Sequence, residues 1–183
     1  MKKAILIISS SILCLFLTAF TIQTILNWKI DSANAQVKFS IMSDGKETKG
    51  MFTGVKGDIS FDNNDLANSH FNCTIDVSTL NTGVGGRDNH LKSKDFFDVA
   101  KFPVATFKSA TIEKANAGFK AIGSMTIKDS TKQITIPFTF ETNNGKSVFK
   151  GAVTIDRNDY GVGKADNEPD PIKVTIEIPV EKQ

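Results

Sequence analysis

Gln133-Ile134-Thr135-Ile136-Pro137-Phe138-Thr139-Phe140-Glu141 is the stretch on which the fold turns. Ile134, Ile136, Phe138 and Phe140 fall on one side of an extended chain, with Gln133, Thr135, Thr139 and Glu141 opposite. Successive side chains of a strand point to opposite faces, so this period of two predicts a strand with one face buried. Asn143-Asn144-Gly145-Lys146 follows, rich in residues that accept tight turn geometry. Phe149, Gly151, Val153 and Ile155 then resume the same period. Two amphipathic strands joined by a short turn must pair antiparallel.

The pattern spreads outward in both directions. Upstream lie Val37, Phe39 and Ile41, then Phe71, Cys73, Ile75 and Val77, then Phe119, Ala121, Gly123, Met125 and Ile127. Downstream come Ile172, Val174, Ile176, Ile178 and Val180. Two less regular runs complete the set: residues 51–61, broken by Gly54 and Gly57, and residues 104–112. Phe107 and Ile112 differ in parity, which predicts a β-bulge near Ser109. Eight strands with one apolar face each must stack or close. Long hairpins in simple succession favour an all-β, eight-stranded antiparallel up-and-down barrel, because closure removes exposed edges. Residues 85–103 break the period and predict one or two short helical turns between the third and fourth strands, with Asp88 and Asp98 as caps.

Composition narrows the function. Fourteen Phe stand against one Tyr and one Trp, a stock for dry burial rather than polar recognition. Met1-Lys2-Lys3 precedes an apolar stretch that ends near Ala19, the pattern of a secretory signal. The expected division is a signal peptide over residues 1–21, cleaved after Ala19 or Thr21, and a single domain over residues 22–183. The product would be periplasmic or secreted. The competing reading is an uncleaved membrane anchor, but the dense apolar part is shorter than the ~20 residues of a span. Leu13 is too large to precede a lipidated Cys14. Loss of Lys2 and Lys3 would bring the formal charge from +2 to zero, leaving no electrostatic footprint for nucleic acid. Cys73 then remains alone on an apolar strand face, an inert thiol without a disulfide partner.

The densest chemistry is Arg87-Asp88-Asn89-His90-Leu91, followed by Phe96-Phe97 and Phe102-Pro103. One reading is acid–base catalysis, with Asp88 orienting His90. The preferred reading is structural: Arg87, Asp88 and His90 fasten the segment while Leu91, Phe96, Phe97 and Phe102 cover a barrel end, as seal or gate. No nucleophile elbow or second histidine stands nearby, and His70 lies on a polar face, so no metal or cofactor site is expected. Asp156-Arg157-Asn158-Asp159-Tyr160-Gly161 begins like a calcium loop but puts Tyr160 where an oxygen ligand is expected and Asn167 where the bidentate Glu should stand.

A small barrel is either filled by its own side chains or holds one ligand. Ala121, Gly123 and Gly151 fall on the apolar side at mid-strand. They mark either strand bending or empty space. On the second reading the interior ligand site comprises Val37, Phe39, Phe52, Phe71, Phe107, Phe119, Ala121, Gly123, Met125, Ile134, Phe138, Phe149, Gly151 and Ile155. A long hydrocarbon tail would gain about 0.8 kcal/mol per buried CH₂ there.

Several segments together resemble the YceI-like family. They are Trp28-Lys29-Ile30-Asp31, Val37-Lys38-Phe39-Ser40-Ile41, Arg87-Asp88-Asn89-His90-Leu91-Lys92-Ser93-Lys94-Asp95-Phe96-Phe97-Asp98, Lys101-Phe102-Pro103, and Asp156-Arg157 with Asp159-Tyr160-Gly161-Val162. The resemblance runs from Trp28 to about Val180. It implies a lipocalin-like barrel, exported to the periplasm, that carries or stores a polyisoprenoid or isoprenoid-quinone-type chain. The expected partner is therefore a long-chain isoprenoid lipid, with transient contact at a membrane surface. Relatives often have histidine where this chain has Asn34 and near Ser43, which bears on head-group preference. The alternatives are an enzyme acting on an isoprenoid head group through His90 and Asp88, and a structural or stress-response module with a filled core.

Overall fold

The computed structural model describes residues 26–43, 45–164 and 170–183. The expected signal segment, residues 1–21, lies outside them. Ten strand segments form one antiparallel sheet: β1 (Asn27–Ile30), β2 (Gln36–Ser43), β3 (Lys46–Phe52), β4 (Val55–Ser60), β5 (His70–Asp76), β6 (Val104–Lys114), β7 (Phe119–Ile127), β8 (Ser130–Asn143), β9 (Lys146–Asp156) and β10 (Pro171–Lys182). β1 and β2 are two halves of one strand, interrupted where Asp31 O accepts Asn34 N and Ala35 N. β3 and β4 are halves of another, parted at Gly54, whose φ of +68° suits glycine. Counted this way there are eight strands. β10 pairs with β9 along one edge and with β2 and then β1 along the other, which closes the barrel.

The period-two reading missed β1. That segment is too short to show a period, yet it completes the closure by pairing with both β4 and β10. The predicted bulge is present, with the β6–β7 register shifting between Ser109 and Thr111. It has two consequences. The Ser109 hydroxyl turns inward and accepts the Phe71 N–H at 2.8 Å. The β6 backbone also closes on Gly123, where a Cβ would clash with Lys108 O.

Between β5 and β6 stand the 3-10 turn Val77–Thr79 and one helix, α1 (Gly85–Lys92), in keeping with the expected one or two short helical turns. Residues 93–102 wind through turns closed by bonds such as Phe97 N to Leu91 O and Phe102 N to Asp98 O. Asp98 thus starts its turn with its carbonyl, at a φ of +48°. Val84, not Asp88, is the N-cap of α1. Asp88 reaches back instead to accept Thr82 N and the Thr82 hydroxyl.

Strand direction sorts the connections into two ends. The upper end carries the β2–β3 hairpin, residues 77–103, the turn after β7, and the link from β9 to β10. The lower end carries residues 61–69, the β6–β7 and β8–β9 turns, and both ends of the barrel domain. The core sits low. Phe61, 1% exposed, is ringed by Phe71, Phe119, Phe138, Phe140 and Phe149, with centroids 5.1–6.2 Å away and mostly edge-on. Each such pair contributes about 0.5–1.5 kcal/mol beyond area burial. Trp28 donates its indole N–H to Phe61 O at 2.8 Å and sets its ring edge-on to Phe140, finishing the plug.

Candidate binding cavity

Above that plug the barrel is hollow. A cavity of about 600 Å³ opens between the Phe61 cluster and residues 77–103. That volume falls within the roughly 300–1,000 Å³ of small-molecule sites. Its floor is the upper surface of the plug, formed by Phe71, Phe138 and Phe149 beside Ile59 and Ala121. The walls carry Val37, Phe39, Phe52, Phe107, Met125, Gly151 and Ile155 from the interior set expected from sequence. They also carry Ile41, Ile75, Ile127, Ile136, Ile172, Val174, Ile176 and Ile178, which share the same inward parity.

Three members of that interior set stand elsewhere. Phe119 is stacked on Phe138 at 5.5 Å and belongs to the plug. Ile134 has the inward parity but does not border the space. Gly123 does not make room for a guest, because its missing side chain leaves room for the β6 backbone at the bulge. Gly151 does border the cavity, although a Cβ there would sit 3.1 Å from Pro137 O.

The upper segment is a roof. Arg87, His90 and Leu91 of α1 border the cavity, as do Phe96 and Phe97. Phe97 meets Phe52 edge-on at 5.7 Å, and Phe52 in turn packs on Phe39. His90 lies edge-on to Phe96 at 4.9 Å. Asp88 and Phe102 do not reach the cavity. Asp88 accepts from Thr82, and the Thr82 hydroxyl accepts Arg87 Nε at 2.8 Å while Thr82 O takes Arg87 Nη2. The Asp88 carboxyl is held below its ordinary value chiefly by the Thr82 hydroxyl, then by the Thr82 N–H, Lys92 and Arg87. Its hydrogen bonds thus anchor the roof rather than orient His90. Lys101 lies 4.8 Å over the Phe102 ring.

The second upper element is the turn Arg157–Tyr160. Asp156 caps it by accepting Asn158 N, and also accepts Asp170 N. Arg157 staples the loop: Nε reaches Asp170 Oδ2 at 2.6 Å and Nη1 reaches Val162 O and Lys164 O at 2.9 Å. This is an arginine-centred turn rather than an ion loop. Among the described residues, no group of three or more His, Cys, Asp or Glu is placed to hold a metal ion. Arg157, Tyr160 and Val162 border the cavity. Sequence reasoning gave none of them an interior role, since a turn has no period. The one signal was an aromatic residue in an otherwise polar loop.

Charged side chains also border the cavity, Arg87, Lys150, Arg157, Lys164 and Asp170 among them. Burial pushes the Cys73 thiol up to about 12, so the group stays protonated against the cavity wall. Asn34 donates to Asp31 on the outer surface, away from the cavity, so its side chain does not address an interior head group.

The fold and its hollow upper half define a small closed β-barrel with a largely apolar cavity. Residues 28–182 match the YceI-like domain, and the chain belongs to the YceI-like family. A UPF0312 protein of Vibrio parahaemolyticus is 36% identical over 110 residues, 59% of this chain and 58% of that protein. A UPF0312 protein of Yersinia pestis is 34% identical over 113 residues, 60% and 59% respectively. The chain therefore aligns with little more than half the length of these relatives. Among solved structures, Burkholderia cenocepacia BcnA superposes with a TM-score of 0.76 at 26% identity, covering 82% of this chain and 98% of that one. The Campylobacter jejuni YCEI protein gives 0.65 at 28% identity, covering 75% and 86%. A polyisoprenoid binding domain from Saccharophagus degradans gives 0.65 at 14% identity, covering 86% and 99%, a likeness of fold alone.

Proposed function

We propose that this protein binds one long isoprenoid lipid, with its tail in the barrel, and acts as a carrier or store after export to the periplasm. The observation that carries the reading is the apolar cavity of about 600 Å³ above a solid aromatic floor. Such a space favours a hydrocarbon chain through burial alone, at about 0.8 kcal/mol per CH₂. The polyisoprenoid binding domain of Saccharophagus degradans shares the barrel and supports the ligand class. Met42, Val84 and Val104 are the exposed large apolar side chains among the described residues, and all three lie at the upper end by strand direction. That supports brief contact with a membrane surface at the end where a lipid would enter.

Chemistry on the head group through His90 and Asp88 is the weaker reading. Asp88 is occupied by Thr82, and His90 packs against Phe96.

Native mass spectrometry of protein purified without detergent tests the proposal, with a co-purifying isoprenoid expected at one per chain. Val174→Trp, on the cavity wall, should abolish uptake while circular dichroism still reports the barrel. A folded wild-type protein that neither carries nor takes up any isoprenoid would sink the reading. Conversion of a bound isoprenoid phosphate by the wild type, lost in His90→Ala, would favour the enzymatic one.

A further inference from the structure

The outer side of the upper wall carries a second hollow, a groove of about 560 Å³. Val37, Phe39 and Ile41 of β2 border the cavity, so Lys38 and Ser40 between them point outward, and both line the groove. Lys49 of β3 and Lys173 of β10 pair with Ser40 from either side. Neighbouring strands lie about 4.8 Å apart, so three lysines rise from a patch about 10 Å wide. All three are exposed. The far bank of the groove is residues 81–83, held to β3 by the backbone bonds between Met51 and Asn81 at 2.9 and 3.0 Å.

Like charges this close on adjacent strands repel. Elsewhere on the wall Lys120, Lys132 and Lys150 each meet a carboxylate within 3.2 Å. In the groove only Lys49 does so, through Glu47 at 3.0 Å. Among the described residues Lys38 and Lys173 have no ion pair, and no Asp or Glu lines the groove. The formal charge is only +2 over 183 residues, so the cluster is no sample of a general excess. Exposed apolar side chains flank it. Met42, 60% exposed, stands two residues beyond Ser40 on the same outer face, and Val84, 51% exposed, directly follows Gly83.

We propose that this face docks the protein on an anionic phospholipid bilayer, with Lys38, Lys49 and Lys173 on lipid phosphates and Met42 and Val84 entering the interface. This deepens the membrane contact proposed above and rests on that reading, adding the face and the charge of the lipid. Basic side chains beside apolar ones are the composition of an interfacial membrane site. An acidic protein fits less well, because protein interfaces favour arginine and aromatic rings and are poor in lysine and serine. The one aromatic residue at the groove, Phe39, also borders the cavity. A bilayer on this face therefore lies one wall's thickness from the guest, beside the loop whose Thr82 fastens the roof.

Vesicle co-sedimentation tests the proposal with two probes, phosphatidylcholine alone and an equimolar mixture with phosphatidylglycerol. Wild type should bind the anionic vesicles, weakly or not at all the neutral ones, and let go as salt rises. Lys38→Gln/Lys173→Gln should bind the anionic vesicles about 25-fold more weakly, about fivefold per lysine. Lys29→Gln/Lys114→Gln removes the same charge from the exposed lower end and should bind like wild type. Met42→Trp should shift its emission to the blue on the anionic vesicles alone. Equal losses in the two double variants, or equal binding to both vesicle types, would overturn the docking face. Tighter binding of poly-glutamate than of the anionic vesicles would overturn the bilayer as occupant in favour of an acidic protein. Isoprenoid uptake from solution should be the same in Lys38→Gln/Lys173→Gln as in wild type. Wild type that takes up isoprenoid but binds neither vesicle would overturn the docking face and leave the cavity reading standing, whereas vesicle binding without uptake would overturn the cavity reading alone.

Discussion

The two halves of the barrel interior are built from the same kind of strand and come out opposite. In the lower half Phe61, Phe71, Phe138 and Phe149 converge from four strands or their ends and fill the space. In the upper half Phe39, Phe52 and Phe107 share the wall with slimmer Ile and Val side chains, and a void remains. Alternation alone does not separate them. The lower half adds Phe61, delivered inward by the chain just after β4, and Trp28, which locks that segment by bonding its carbonyl. The upper half is closed by residues 77–103, which cover the opening without filling it. One consequence is a division of labour, with stability concentrated below and accommodation of a guest above.

The sharpest way to break this comparison is to truncate one ring in each half. Phe61→Ala removes the hub of the plug and should cost about 3–5 kcal/mol, the range for a fully packed aromatic. Chemical denaturation measures it directly. Phe107→Ala removes a ring of the same size from a wall that already faces space, where half-buried atoms lose fewer contacts. Its cost should be only about 1–2 kcal/mol. Lipid uptake should persist in Phe107→Ala, with a changed preference among chain lengths. If the two variants lose equal stability, the upper half is as tightly packed as the lower, and the cavity does not exist in solution.

The same contrast explains how much was legible in the sequence. Each long strand announced itself by period, and the parity change between Phe107 and Ile112 located the bulge, because these are local properties of an extended chain. The split into filled and hollow halves depends on which side chains meet across the barrel, and that is not local. Gly123 shows the difficulty. Its place on the apolar side suggested room for a guest, but the nearest neighbour is the backbone of β6, set there by the bulge. Phe119 was counted with the cavity because parity puts it inward, while its height along β7 puts it in the plug. Tyr160 lay in a loop with no period, so nothing in the pattern tied it to the interior. The roof was visible as a break in alternation, and its content of Phe and Leu suggested a cover. Only the folded arrangement tells that it faces the hollow end.

A smaller effect sharpens the comparison from the side of pH. The roof is fastened through the Asp88 carboxylate, which accepts both the Thr82 hydroxyl and the Thr82 N–H, whereas the lower plug is apolar. These bonds favour the ionised form, and the folded-state pKa lies below the unfolded one. The linked stabilisation is therefore fully present above the ordinary carboxylate value and fades as pH falls through the lower, folded-state value. Asp76, which caps the turn Val77–Thr79 through Ser78, is shifted the same way by that hydroxyl and N–H. Acid should thus loosen the roof before the plug. Amide exchange in residues 82–92, measured from neutral pH to below the ordinary aspartate value and corrected for intrinsic rates, should speed up while Phe61 and Phe149 stay protected. Asp88→Asn should weaken the roof already at neutral pH and flatten its pH dependence, leaving the share due to Asp76. If roof and plug open together at every pH, the two ends are one cooperative unit, and the roof is no independent door.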